Sequence, residues 1–293
     1  MRYCLILFGC CLLLVPHLLI ASYYGSGWHG RLNTNLVYED NISHTWVRED
    51  VEPDLIANLE VGGAWSRLGG DSGMWVVDGY FSVAKHNDFK DLDSLTALVN
   101  ASYLFRIADD FQATTYTVSA GVGRSVFADS DIREGQVTTL KLQAVKRLSE
   151  WLRWQYGYEF LQRFARDDTF DTSDHFVDLG LEYDLTPRLT GYVQYRYLKG
   201  DLVLQASGFP GTNAATVDAD ELVFDDVFVN CARDCESWSY RYEGDGALFS
   251  LGFVYQIRDE LSVDGGWQLY TWETDSGVDY DDSSFQVGIT YVF

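Results

Sequence analysis

The feature that most constrains this chain is an alternation of apolar and polar residues, and it is clearest at the C-terminus. The final stretch, SSFQVGITYVF, places Phe285, Val287, Ile289, Tyr291 and Phe293 on one parity. The other parity is mostly small or polar. Because successive side chains of a β-strand point to opposite faces, a period of two predicts a strand with one apolar face.

The same period recurs along the whole chain, for example in WLRWQYGYEF at residues 151–160. Each alternating segment is long enough for a tilted strand across a bilayer, which needs about 9–11 residues. The predicted strands, with ends uncertain by about two to four residues, are 28–39, 54–66, 74–85, 95–106, 112–126, 136–148, 151–164, 175–184, 189–200, 238–256, 261–273 and 283–293.

Composition supports an all-β protein. The chain has 26 Gly and 19 Tyr against 4 Pro and 2 Met, and aromatic residues are enriched in strands. A hydrophobic fraction of 47% excludes a disordered acidic tail, although the formal net charge is -23.

The connections between predicted strands alternate between short and long, and the acidity lies in the long ones. We assign the long loops to 39–54, 85–94, 127–135, 165–175, 200–237 and 273–283. They hold 29 of the 44 acidic residues and 6 of the 21 basic residues, which accounts for the whole net charge. The acidity is therefore predicted to belong to one rim of the fold.

The N-terminus has the layout of a secretory signal peptide, predicted to span residues 1–22. Arg2 precedes an apolar run, and Pro16 and His17 interrupt that run, which argues against a membrane anchor. In an exported chain the remaining pair, Cys231 and Cys235, is predicted to form a disulfide rather than a metal site.

The C-terminal stretch resembles the last strand of Gram-negative outer-membrane β-barrels, which ends on an aromatic residue. The resemblance implies a transmembrane up-and-down antiparallel β-barrel of about twelve strands over residues 23–293, located in the bacterial outer membrane. It also implies that the barrel-assembly machinery recognises Tyr291 and Phe293, and that the barrel contacts outer-membrane lipid and lipopolysaccharide. A count of ten or fourteen strands stays open, and a soluble β-sandwich is the main rival fold.

Several charged residues fall on the parity predicted to face the barrel interior. One interpretation is an internal salt-bridge network that fills a narrow barrel, because unpaired buried charges are costly. The other is a pore that selects small charged or polar solutes. The lumen-lining candidates are Glu60, Asp78, Lys141, Arg147, Arg153, Glu159, Arg163, Asp178, Glu182, Arg196 and Asp264.

The predicted rim carries carboxylate clusters in ADSDIRE, RDDTFDTSDH and DYDDSS, which offer oxygen ligands for Ca²⁺ or Mg²⁺. None of them matches an EF-hand loop. A solvated acidic surface explains them as well, so we assign no metal site and no cofactor. An acidic rim would repel nucleic acid, so no nucleic-acid partner is expected.

Groups for hydrolysis are sparse. Asp171, Asp174 and His175 fall near the predicted mouth, but Asp174 and His175 are adjacent and so point to opposite strand faces. Ser43–His44 and Ser173/His175 are candidates only by proximity in sequence. We therefore name no catalytic residue.

The sequence favours a passive channel for small solutes, of porin type, with no solute identified. The acidic loops would favour cationic or neutral solutes at the mouth. The alternative is a non-conducting barrel that displays acidic loops for surface binding or adhesion, and a lipid- or peptide-hydrolysing barrel is third. Loop 200–237 is long enough to fold inward and constrict the pore or to extend outward.

Overall fold

The computed structural model describes residues 26–45, 51–69, 73–108, 110–207, 219–225, 227 and 237–293. Within them the chain forms thirteen strands and three short 3-10 helices. The strands are β1 Gly27–Glu39, β2 Asp54–Leu68, β3 Gly73–His86, β4 Ser94–Arg106, β5 Thr115–Phe127, β6 Gly135–Arg147, β7 Leu152–Ala165, β8 Thr172–Thr186, β9 Leu189–Ser207, β10 Glu221–Phe224, β11 Ser237–Arg258, β12 Leu261–Thr274 and β13 Asp279–Val292. The 3-10 helices are Lys90–Leu92, Asp131–Arg133 and Asp168–Phe170.

Twelve of these strands close into one antiparallel barrel. Each barrel strand pairs with the next, β9 pairs directly with β11, and β13 pairs back onto β1. The fold class and strand count predicted from the alternation are thus confirmed, and the soluble sandwich was the wrong alternative. The predicted signal peptide lies outside the described residues.

The predicted alternation of short and long connections holds except between β4 and β5, where residues 107–114 form a connection longer than 87–93 and 128–134 on either side of it. Short turns such as 187–188 and 259–260 lie at one end, and the β1–β2 and β9–β11 connections lie at the other. We call the end with the long connections the outer end and the opposite end the inner end.

The outside of the barrel is an apolar belt. Along β1, residues from Leu32 to Glu39 alternate strictly between exposed and buried, and along β8 the alternation runs from Asp174 to Tyr183. The exposed parity carries large apolar side chains from every part of the barrel, among them Leu36, Leu59, Val99, Leu140, Val177, Leu251 and Val287. An apolar belt of this kind around a closed barrel is stable only against lipid.

No helix among the described residues is long and apolar enough to cross a membrane.

The C-terminal residue completes the seam between the first and last strands. Phe293 and Gly30 exchange two backbone hydrogen bonds, of 2.6 Å from Gly30 N and 2.9 Å from Phe293 N. The Phe293 ring lies over Gly30, in the space that a Cβ atom would occupy, and stacks on Tyr291 with ring centroids 5.8 Å apart. The terminal aromatic is therefore a packed part of the barrel wall.

Two of the loops predicted from the sequence, 200–237 and 273–283, were too long. The β9–β11 hairpin continues the ladder from residue 189 to 207 and from 237 to 258, so part of the predicted 200–237 loop is strand. The short strand β10 pairs with β11 in that same predicted loop. DYDDSS lies wholly in β13. The acidic residues concealed the strand period at these positions.

Candidate functional site: the lumen and its outer cap

The lumen has two unlike walls. On β4, β5 and β6 most of the inward residues are small or polar and partly exposed, although Leu98 and Leu104 share the inward face and Phe127 and Val137 are buried at its outer end. The small or polar residues include Ser94, Thr96, Asn100, Ser102, Ser119, Gly121, Thr139, Lys141 and Gln143. We call the partly exposed interior along this wall the passage, and at its inner end Arg106 and Arg147 are exposed.

The opposite wall, on β7 to β9 and β11 to β13, is packed with larger side chains. Most of its inward residues are buried, including Gln155, Glu159, Asp178, Glu182, Tyr192, Gln194, Arg196, Ser250, Gln268 and Gln286. The Tyr192 hydroxyl reaches the space over Gly252 and Gly266 on strands β11 and β12. The solvent-filled part of the lumen is therefore displaced to the β4–β6 side.

An ion network crosses the packed wall at mid-height. Arg196, fully buried, donates to both carboxylate oxygens of Asp178, at 2.5 and 3.0 Å, and to Glu159 at 3.3 Å. Lys141 Nζ lies 3.9 Å from the same Glu159. The Arg196 guanidinium also stacks over the Phe176 ring, 4.9 Å from its centroid. Two cations and two carboxylates thus balance in this network, as one interpretation of the sequence had it.

Three further ion pairs line the barrel interior. Arg153 binds Glu182 at 2.8 Å and both oxygens of Asp184 at 2.8 and 2.9 Å. On the far side, Arg31 binds Glu60 at 2.5 Å. Of the five basic lumen candidates, Lys141, Arg153 and Arg196 lie in ion pairs. The interior therefore does not present a continuous track of free basic residues to anions.

The remaining lumen candidates also lie on the inward parity. Asp78 accepts a hydrogen bond from Asn100 at 3.1 Å, and Asp264 fits into the space over Gly288 on the neighbouring strand. Arg163 is buried on β7. Arg147 lies at the inner edge, 5.5 Å from the Phe111 ring centroid.

A cap covers the outer end of the lumen. It consists of the extended β9–β11 hairpin with β10 and the described residues of their connection. Its apolar residues continue the barrel interior in one core, whose members include Leu161, Phe170, Phe176, Leu198, Leu202, Leu204, Tyr240, Tyr242, Trp272 and Tyr280. This part of the predicted 200–237 loop therefore folds inward.

A buried ion pair joins the cap to the β5–β6 connection. Arg133, in the second 3-10 helix, forms a bidentate pair with Asp225, which follows β10. Asp225 also accepts hydrogen bonds from Gln205 at 2.7 Å and Ser239 at 2.6 Å. The Arg133 guanidinium lies over the Phe170 ring at 4.9 Å. The two side chains are 3% and 1% exposed, so the pair is shielded from solvent.

The cap also reaches the opposite side of the barrel. Val227 packs in a second apolar cluster with Val37, Ile42, Ile56 and Leu92, at the outer ends of β1 to β4. Nearby inward residues of the passage wall, Phe127 and Val137, are buried. The passage therefore ends beneath the outer connections.

The groups considered for hydrolysis do not form a catalytic site. Asp174 is buried on the inward face, and His175 is exposed on the outward face, where it contacts Tyr158 at 2.7 Å. Ser43 donates to Asn41 at 3.2 Å. An Asp–His pair does meet near the rim, because Asp54 lies 2.9 Å from His86 Nδ1, but both side chains are 0% exposed and no substrate reaches them.

The most connected residues of the outer end were missed by sequence reasoning. Arg133 and Asp225 are 92 positions apart, and nothing in the period of the sequence relates them. A weak signal was available for the cap, because the apolar run Leu222–Phe224 stands among acidic residues in ELVFDDV, residues 221–227. Cys231 and Cys235 lie outside the described residues, so their disulfide stays a prediction.

A closed twelve-strand barrel with an apolar belt and a polar interior defines this chain as a bacterial outer-membrane β-barrel. No protein-family model matches the sequence, and no curated protein matches it.

Among solved structures, the chain is similar to the COG4313 outer membrane channel from Pseudomonas putida F1, with a TM-score of 0.58 and 8% identity, over 92% of this chain and 97% of that one. It is also similar to the KdgM porin, with a TM-score of 0.46, 9% identity and coverage of 90% and 99%. The channel DcaP of Acinetobacter baumannii matches with a TM-score of 0.46, 11% identity and coverage of 91% and 96%. At these identities the first likeness establishes the barrel fold.

Proposed function

We propose that the protein is a narrow passive channel for small cationic or neutral polar solutes. The observation that carries this proposal is the wall of partly exposed small polar residues on β4 to β6, which follows the barrel interior to its inner end. A barrel whose interior serves only as a packed core would fill both walls with buried side chains.

Charge supports the preference for cations. In the Arg153 cluster, two carboxylates face one guanidinium. Asp78 is held by an amide, and the outer connections carry the excess of acidic residues. Acidic groups at a mouth raise the local concentration of cations and lower that of anions.

The test is single-channel recording of the refolded chain in a planar bilayer under a salt gradient. We expect discrete current steps and a reversal potential shifted toward the cation. The variant Asp78→Asn should reduce that shift, whereas Asp245→Asn, on the exposed outer face of β11, should leave it unchanged. The absence of current steps from a barrel that migrates as a folded species in unheated gel samples would overturn the proposal of a channel.

One observation favours a second candidate function. The cap and the packed wall close the outer end, which also suits a non-conducting barrel that displays acidic loops for surface binding or adhesion. If bilayers stay silent even when the cap is released as described below, this second function is the better one.

A further inference from the structure

Two carboxylates and a histidine meet at the outer end of the seam between the first and last strands. Glu39 ends β1, Asp282 lies on β13, and His44 lies in the β1–β2 connection. Their exposures are 0%, 3% and 1%. One potential ligand atom from each lies within 4.8 Å of the others.

The segment Asn-Ile-Ser-His-Thr at 41–45 forms the turn that places the His44 imidazole beside the two carboxylates. Asn41 Oδ1 accepts from Ser43 Oγ at 3.2 Å and from Thr45 N at 3.3 Å, and Asn41 Nδ2 donates to Thr45 O at 3.1 Å. His44 itself has a φ of 50°, in the left-handed region that residues other than glycine seldom adopt. Asp40 fixes the neighbouring strand end, because it accepts from Ser283 N at 2.8 Å.

The imidazole faces the two carboxylates without hydrogen-bonding to either. His44 Nδ1 is 3.7 Å from Asp282 Oδ2, and His44 Nε2 is 3.9 Å from Glu39 Oε1. Among the described residues, neither ring nitrogen has a hydrogen-bond partner. A neutral imidazole offers a nitrogen lone pair for coordination.

A buried imidazole that makes no hydrogen bond is costly, as is a pair of carboxylates brought together away from water. A divalent cation between them would compensate for both costs. Histidine nitrogen with carboxylate oxygen suits transition metals, whereas Ca²⁺ and Mg²⁺ prefer oxygen ligands alone.

We propose that Glu39, His44 and Asp282 bind a divalent transition-metal ion, and that Zn²⁺ fits the site. Bonds of about 2.0–2.2 Å to a tetrahedral Zn²⁺ place ligand atoms about 3.3 Å apart. The separations of up to 4.8 Å must therefore shorten by about 1.5 Å at most, a movement within reach of side-chain torsions. One ring nitrogen coordinates the ion.

Binding would join the β1–β2 connection to the last strand of the barrel. The ion would hold the outer end of the seam, far from Phe293 at the inner end. The site is independent of the passage on β4 to β6, so its test does not depend on conduction.

The test is calorimetric titration of the refolded, chelator-treated chain with Zn²⁺. We expect one site in the unmodified chain, and binding weakened by more than about tenfold in His44→Ala and Asp282→Asn, since loss of even a supporting group costs that much. Asp281→Asn is the matched control, because Asp281 is the exposed neighbour of Asp282 on the same strand. Equal weakening by Asp281→Asn and Asp282→Asn would reduce the site to a nonspecific acidic surface and overturn the proposal.

A second measurement needs no variant to fold. Co²⁺ added to the unmodified chain should give the visible absorption of a four- or five-coordinate site, and Zn²⁺ should displace it. A visible spectrum of Co²⁺ unchanged from that of the aqueous ion would overturn the proposal. Tighter binding of Ca²⁺ than of Zn²⁺, with no change in His44→Ala, would do so as well.

Discussion

The buried pair between Arg133 and Asp225 is the contact whose loss should release the cap. The substitution Arg133→Met keeps the apolar contact with Phe170 and removes the guanidinium. Asp225 then keeps its hydrogen bonds from Gln205 and Ser239 but becomes a buried carboxylate without its cation.

Breaking a buried ion pair on one side costs about 3–5 kcal/mol. If that cost falls on the closed cap, the ratio of closed to open channels drops by more than about a hundredfold, since about 1.4 kcal/mol is a factor of ten. The measurement is the open fraction in planar bilayers, with unheated gel migration to verify that the barrel is folded.

Two further variants make the result specific. Arg166→Met removes a pair with Asp131 whose side chains are 61% and 75% exposed, and such surface pairs contribute about 0–1 kcal/mol, so the open fraction should not change. Arg133→Met with Asp225→Asn removes both charges and keeps an oxygen for Gln205 and Ser239, so it should restore much of the closed state. An Arg133→Met channel with the open fraction of Arg166→Met would refute the idea that this pair holds the cap.

Three other predictions concern stability, each read as a urea midpoint or as the temperature at which gel migration changes. Gly30→Ala should lower the free energy of unfolding by about 1–3 kcal/mol, because its Cβ would displace the Phe293 ring. Gly63→Ala, at the position that pairs with Gly30 across β1 and β2, should be tolerated, and equal effects of the two variants would contradict the seam packing. Arg196→Met should lower the free energy of unfolding by about 3–5 kcal/mol. Arg124→Met should change it little, because the Arg124 side chain is 64% exposed, and similar midpoints for the two variants would mean that the lumen network is not stabilising. Burial opposes ionisation of Asp93, but hydrogen bonds from Lys85 and the backbone of His86 outweigh it and lower the pKa of the Asp93 carboxyl. The stabilisation by Asp93 is therefore complete above pH 3.8, the ordinary value, and is lost as the pH falls through the lower pKa of the folded state. Asp93→Asn should lose less stability on acidification than the unmodified chain, and parallel curves of stability against pH would contradict this.

The barrel could be predicted from the sequence because its information is local. A period of two assigns each side chain to lipid or lumen one strand at a time, so all the lumen candidates were placed on the inward parity without knowledge of strand neighbours. The lengths of the connections then predicted that the two longest connections lie at the same end of the barrel.

The cap and the seam cluster could not be predicted in the same way. Asp40 and Ser283 meet over a separation of 243 residues, a contact that exists only once the barrel has closed. In the structure, Tyr280 and Asp282 are buried while Asp279 and Asp281 are exposed. The period of two therefore continues through a segment that its charge had assigned to a loop.

The ladder between β9 and β11 has a mechanical consequence. It runs from the pair Leu189 and Tyr255 to the pair Ser207 and Ser237, and it passes from the membrane wall into the cap without a register shift. The cap is thus a continuous extension of two wall strands, and no hinge interrupts the ladder between them. A ladder of this kind moves as one unit, so current records should show a few long-lived conductance levels instead of rapid flicker. Lateral stress in the surrounding lipid should act directly on the outer mouth.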